Sequence, residues 1–110
     1  MQPETIRQAN IETYRFLKRR GITSQDIENH PRADDVVLLT AFKDTFYNKM
    51  NPRELATWAG YWNTVYYRKK PLKNKALVKF EQIINNIQQR EQQHRDHLKK
   101  IQALRDQLKA

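Results

Sequence analysis

Within residues 58–79 the chain brings five aromatic rings, Trp58, Tyr61, Trp62, Tyr66 and Tyr67, up against six cations, Arg68, Lys69, Lys70, Lys73, Lys75 and Lys79. Rings offer faces on which a base can stack, and ammonium or guanidinium groups neutralise phosphates, so the combination is what holding a polyanion requires. The charge is local. Residues 51–80 contain seven Lys and Arg against one Glu, a balance of +6 out of the formal +9, whereas residues 21–50 contain three against five acids. A basic patch describes the chain better than a generally basic surface, and nucleic acid is the partner class that fits it. An acidic face of a larger protein or nucleoprotein complex would satisfy the same charges and is the rival reading.

Other chemistry is poorly supplied. With no cysteine there is neither a disulfide framework nor a thiolate metal site. His94 and His97, with Glu91 and Asp96 nearby, have a spacing that can reach a metal between helices, but that spacing is common on polar helices. His30 precedes Pro31 in an expected loop with no visible partner, and the chain has no glycine-rich phosphate loop and no serine or cysteine nucleophile pattern. These absences lead us to expect no catalysis, no bound metal and no cofactor. Met1-Gln2-Pro3-Glu4 is not a cationic start followed by an apolar run, and no window approaches the roughly 18–20 apolar residues of a membrane span. A soluble, cytoplasmic protein is the expectation.

The elements that position these residues read as all-α: a compact helical body of about four helices over residues 1–73, then a long C-terminal helix with coiled-coil character over 74–110. A first helix is expected from Pro3 to Arg20, stopped by Gly21 at its left-handed C′ position, with Ile6, Ala9, Phe16 and Leu17 on one face and Ile11 and Tyr14 beside it. Thr23-Ser24-Gln25-Asp26 reads as the N-cap of a short helix ending before Pro31. A third helix starts at Asp34-Asp35 and carries Val36, Leu39, Phe42, Phe46 and Met50 three or four residues apart, the clearest core pattern in the chain. A helix-turn-helix outline over 22–47 is electrostatically wrong, because its recognition helix would point Asp34 and Asp35 at phosphates.

Asn51-Pro52-Arg53-Glu54 is a helix start with Asn at the cap, Pro at N1 and Glu reaching back from N3. The fourth helix is expected to run to about Lys69, ahead of Pro71. At about 100° per residue, Leu55, Trp58, Ala59, Trp62, Val65 and Tyr66 share one arc, which assigns both tryptophans to the core. The opposite face holds Arg53, Gly60, Asn63, Thr64, Tyr67 and Arg68. A glycine in mid-helix costs roughly 1 kcal/mol relative to Ala, which points to close approach of a ligand or a neighbouring helix. The candidate nucleic-acid-binding set is therefore Arg53, Asn63, Tyr67, Arg68, Lys69, Lys70, Lys73, Lys75 and Lys79, with Tyr67 stacking and the cations on phosphates.

The fifth helix is expected from Asn74 to Leu108, roughly 50 Å at 1.5 Å per residue. A heptad fits it, with Leu77, Ile84, Glu91, Leu98 and Arg105 at a and Phe80, Ile87, His94, Ile101 and Leu108 at d. Residues 88–97 contain no apolar side chain, so the pattern is nearly symmetric about its middle. Pairing with an antiparallel second copy would set Leu77 against Leu108, Ile84 against Ile101, Ile87 against Leu98, Glu91 against His94 and Phe80 against Arg105. A homodimer through Leu77, Phe80, Ile84, Ile87, Glu91, His94, Leu98, Ile101 and Leu108 is the expected assembly; a parallel coil, a fold-back within the monomer and docking on another protein are the alternatives.

Overall fold

Capping residues decide where the helices begin and end. The computed structural model describes residues 11–109, so the expected start at Pro3 and the placing of Ile6 and Ala9 lie outside the described residues. Helix α1 (Ile11–Arg19) closes in a Schellman motif: Ile22 N–H donates to Leu17 O at 3.0 Å and Gly21 N–H to Lys18 O at 3.0 Å, with Gly21 at φ 65°. Thr23 and Asp26 form a reciprocal capping box (2.8 and 3.2 Å) that starts α2 (Ser24–Glu28). The acids Asp34 and Asp35 occupy the first turn of α3 (Ala33–Phe46), the favourable end of its dipole. Asn51 and Glu54 form a second capping box (2.8 and 3.1 Å) on α4 (Pro52–Trp62), and α5 runs from Asn74 to Lys109. Among the described residues there is no strand, and the fold is all-α.

The fourth helix departs from expectation. Its α-helical part stops at Trp62 and continues as one π-helical turn, Asn63–Tyr67, whose wider step is closed by Arg68 N–H donating to Asn63 O at 3.1 Å. A regular helix could not run on into Pro71, whose ring would clash with the carbonyl four residues earlier.

Packing divides the chain into two units, residues 1–77 and 78–110. In the first, α3 lies against α1, α2, α4 and the π turn. Leu17, Ile22, Ile27, Val36, Leu39, Trp58, Trp62 and Val65 are buried there, and Phe16 sets its ring edge-on to both Trp58 and Trp62 at 5.3 Å. Both tryptophans are core, as their helical arc predicts. Ile11 (66% exposed) and Tyr14 (45%) are not part of that core, because α1 turns Thr13 and Leu17 inward instead.

The least expected core member is Lys43. It is only 4% exposed, and its ammonium sits 4.1 Å from the Tyr47 ring centre, 5.2 Å from Trp58 and 5.3 Å from Phe16. Burial pushes its pKa below the ordinary lysine value; Glu12 opposes that shift, and Arg19 and Arg20 add to it. Three ring faces stand in for water around a charge that lies on the same helical stripe as Val36 and Leu39.

In the second unit, the α5 residues Phe80, Ile83 and Ile87 are 5%, 2% and 2% exposed, while every residue from Gln92 to Lys109 is exposed. Those three follow one helical stripe in which Ile83 takes the inward place the heptad gave to Ile84. Among the described residues, no helix is long and apolar enough to cross a membrane.

Candidate nucleic-acid interface

An aromatic column links the core to the basic segment. The Trp58 and Trp62 rings stack at 5.5 Å, Trp62 and Tyr66 at 5.1 Å with planes 5° apart, and Tyr67 meets Tyr66 edge-on at 5.1 Å and 82°. Trp58 anchors the inner end by donating from Nε1 to Leu39 O at 3.0 Å. At the outer end Tyr67 is 53% exposed. Burial raises the pKa of Tyr66 above the ordinary tyrosine value, with Asp26 and Tyr67 adding to the shift.

Directly after the column the backbone turns sharply. Lys69 has φ 59°, a left-handed conformation that an L-residue with a side chain adopts at a cost of roughly 1–2 kcal/mol. Lys70 N–H donates back to Thr64 O at 3.1 Å across it, which ends the helix. Partners distant in sequence then hold the segment. His30 stacks on Tyr66 at 4.9 Å, and its Nε2 lies 2.8 Å from Tyr66 O. Its Nδ1 accepts from Arg32 N–H at 2.9 Å, which leaves Nε2 carrying the proton and donating. Arg32 Nε reaches Lys69 O at 3.4 Å, and Asp35 accepts from Leu72 N–H at 3.1 Å. His30, expected without a partner, is thus the main clamp under the basic segment; only the fold brings residues thirty-six apart together.

The structure gathers Asn63, Tyr67, Arg68, Lys69, Lys70 and Lys73 around the end of this helix, and all are exposed. Arg53 is exposed a full α4 length away in the first turn, and Lys75 is exposed in the first turn of α5. Lys79 belongs to the second unit and is exposed there. Gly60 is also exposed, and a methyl group added there would meet no atom within 4 Å, so among the described residues no neighbouring helix explains it. Sequence reading missed a second group of cations: α1 exposes Arg15, Lys18 and Arg19 around a shallow depression, which Glu12, 3.5 Å from Arg15, also lines.

The self-association residues separate into two sets. Phe80 and Ile87 are buried and Ile84 is half-buried. Leu77, Leu98, Ile101 and Leu108 are exposed, as is Leu104, which the heptad placed off the seam. Glu91 is half-buried and His94 exposed, and among the described residues no group of three or more His, Asp or Glu converges as a metal site.

No protein-family model matches the chain, and no curated protein or solved structure matches it significantly.

The strain at Lys69 gives a test. Lys69→Gly is expected to stabilise the fold by roughly 0.5–1 kcal/mol, since glycine takes positive φ freely but loses more backbone entropy on folding. The same change is expected to weaken polyanion binding by removing one cation. A urea midpoint that drops in Lys69→Gly would show that the left-handed turn is not strained.

Proposed function

We propose that this is a small basic nucleic-acid-binding protein of the cytoplasm, acting as a regulator or accessory factor and gripping DNA or RNA mainly by its backbone. The observation that carries this reading is the fixed basic segment: Arg68, Lys69, Lys70 and Lys73, all exposed, follow an exposed Tyr67 and are clamped by His30, Arg32 and Asp35. These contacts hold the backbone, so little loop ordering remains to be lost when the cations meet phosphates. A salt titration of binding to labelled oligonucleotides tests it. Log affinity should fall linearly with log salt, because each phosphate contact releases counterion. A flat titration would exclude a backbone-gripping site.

The rival, an adaptor or inhibitor docking this face on an acidic protein surface, is supported by the same charges; partners captured from lysate that survive nuclease digestion would favour it. Self-association through the end of α5 is a separate proposal, supported by the exposed stripe Leu98, Ile101, Leu104 and Leu108. It predicts twice the monomer mass by light scattering and a monomer when the chain ends before Gln88. A full-length monomer throughout the micromolar range would exclude it.

A further inference from the structure

We infer that the interface selects single strands over duplex, with one unpaired base on the ring of Tyr67 and the adjoining phosphates on Arg68, Lys69, Lys70 and Lys73. The inference rests on the nucleic-acid reading above and names which form of the ligand that site takes.

Tyr67 is more than half exposed but is not a loose side chain. Its edge is set against Tyr66, whose own ring is held between Trp62 (5.1 Å) and His30 (4.9 Å). Trp62 in turn stacks on Trp58, and each of these two is 1% exposed. The column therefore presents the outermost ring in a defined orientation, so little side-chain freedom remains to be lost when a base stacks on it.

A duplex cannot use that ring. Its bases cover one another's faces, and extruding one costs a few kcal/mol, comparable to what a single stacking interaction returns. Duplex DNA would therefore meet only the cations. A protein that reads duplex instead commonly inserts a helix into the major groove, with base recognition from the helix N-terminal turn. The helix in that position here, α3, opens with an exposed Asp34, and its Asp35 is committed to Leu72 N–H. A carboxylate at the leading end repels phosphate, so α3 does not offset the duplex's lack of stacking by reading a groove.

The test uses the full chain and fluorescence anisotropy with a labelled 20-nucleotide strand of mixed sequence, free or annealed to its complement, as both DNA and RNA. Single strands are expected to bind roughly 5- to 100-fold tighter than duplex, the factor for one stacked base. Tyr67→Ala and Tyr67→Leu should each remove that preference while leaving duplex affinity and the salt slope unchanged. Tyr67→Phe should retain it, since stacking uses the ring and not the hydroxyl. Duplex binding as tight as single-strand binding overturns the inference, as does full single-strand affinity in Tyr67→Leu. If neither form binds at low salt, the nucleic-acid reading itself falls, and this inference with it.

Discussion

Trp58→Ala is expected to lower the unfolding free energy by about 3–5 kcal/mol, a large part of the roughly 5–15 kcal/mol that a small domain holds. Trp58 is 1% exposed, stacks on Trp62, meets the edge of Phe16 and stands over the Lys43 ammonium. Truncation would leave a cavity at the centre of the first unit and remove one of three rings that solvate a buried charge. Trp62→Ala should cost a similar amount, but the Phe substitutions should differ. Trp58 Nε1 donates to Leu39 O, whereas Trp62 Nε1 is buried with no hydrogen-bond partner. Trp58→Phe therefore loses a hydrogen bond of about 1 kcal/mol, while Trp62→Phe removes an unsatisfied donor. Urea unfolding followed by circular dichroism measures all four. A Trp58→Ala variant with the parent's midpoint would take Trp58 out of the core, and a costlier Trp62→Phe than Trp58→Phe would reverse the hydrogen-bond argument.

Replacing Lys69, Lys70 and Lys73 together with Gln should weaken binding to every nucleic acid alike and reduce the slope of log affinity against log salt by about 2–3, close to one for each phosphate that no longer meets a cation. All three are exposed, so the fold should stay intact. The effect is expected to be uniform across sequences because lysine on phosphate carries no base information. Tyr67 offers the internal contrast, since stacking releases no counterion and its removal should leave the slope alone. If the triple variant binds as tightly as the parent at moderate salt, the basic segment is not the interface, and the acidic-protein reading takes first place.

What could be read from the chain alone follows from local rules. Thr23 with Asp26 and Asn51 with Glu54 announce helix starts because side chain and backbone only three residues apart satisfy each other, and both boxes are present. Gly21 announces a stop because positive φ favours glycine, and it has φ 65°. The arc through Trp58, Trp62 and Val65 announces a core face because helical periodicity repeats within a few residues, and all three are buried. Exposure of Tyr67 and Arg68 was legible in the same way, from the opposite arc, whereas Lys69 would fall on the core arc of a regular helix and is exposed because the helix ends in a π turn before it.

Tertiary structure alone decided what depends on neighbours distant in sequence. Lys43 shares the helical stripe of Val36 and Leu39, but a charge is tolerated there because Phe16 and Trp58, from α1 and α4, join Tyr47 at the end of its own helix around the ammonium, and α3 alone does not supply those two rings. His30 becomes a clamp because α2 ends beside Tyr66, thirty-six residues later. Lys69 accepts a left-handed backbone because Arg32 and Asp35 hold the flanking carbonyl and amide, where local propensity would have chosen glycine. The heptad of α5 assigned Ile84 to the seam, but the stripe that is buried runs through Phe80, Ile83 and Ile87. A heptad names positions one helix can offer, and by itself it does not choose among adjacent stripes.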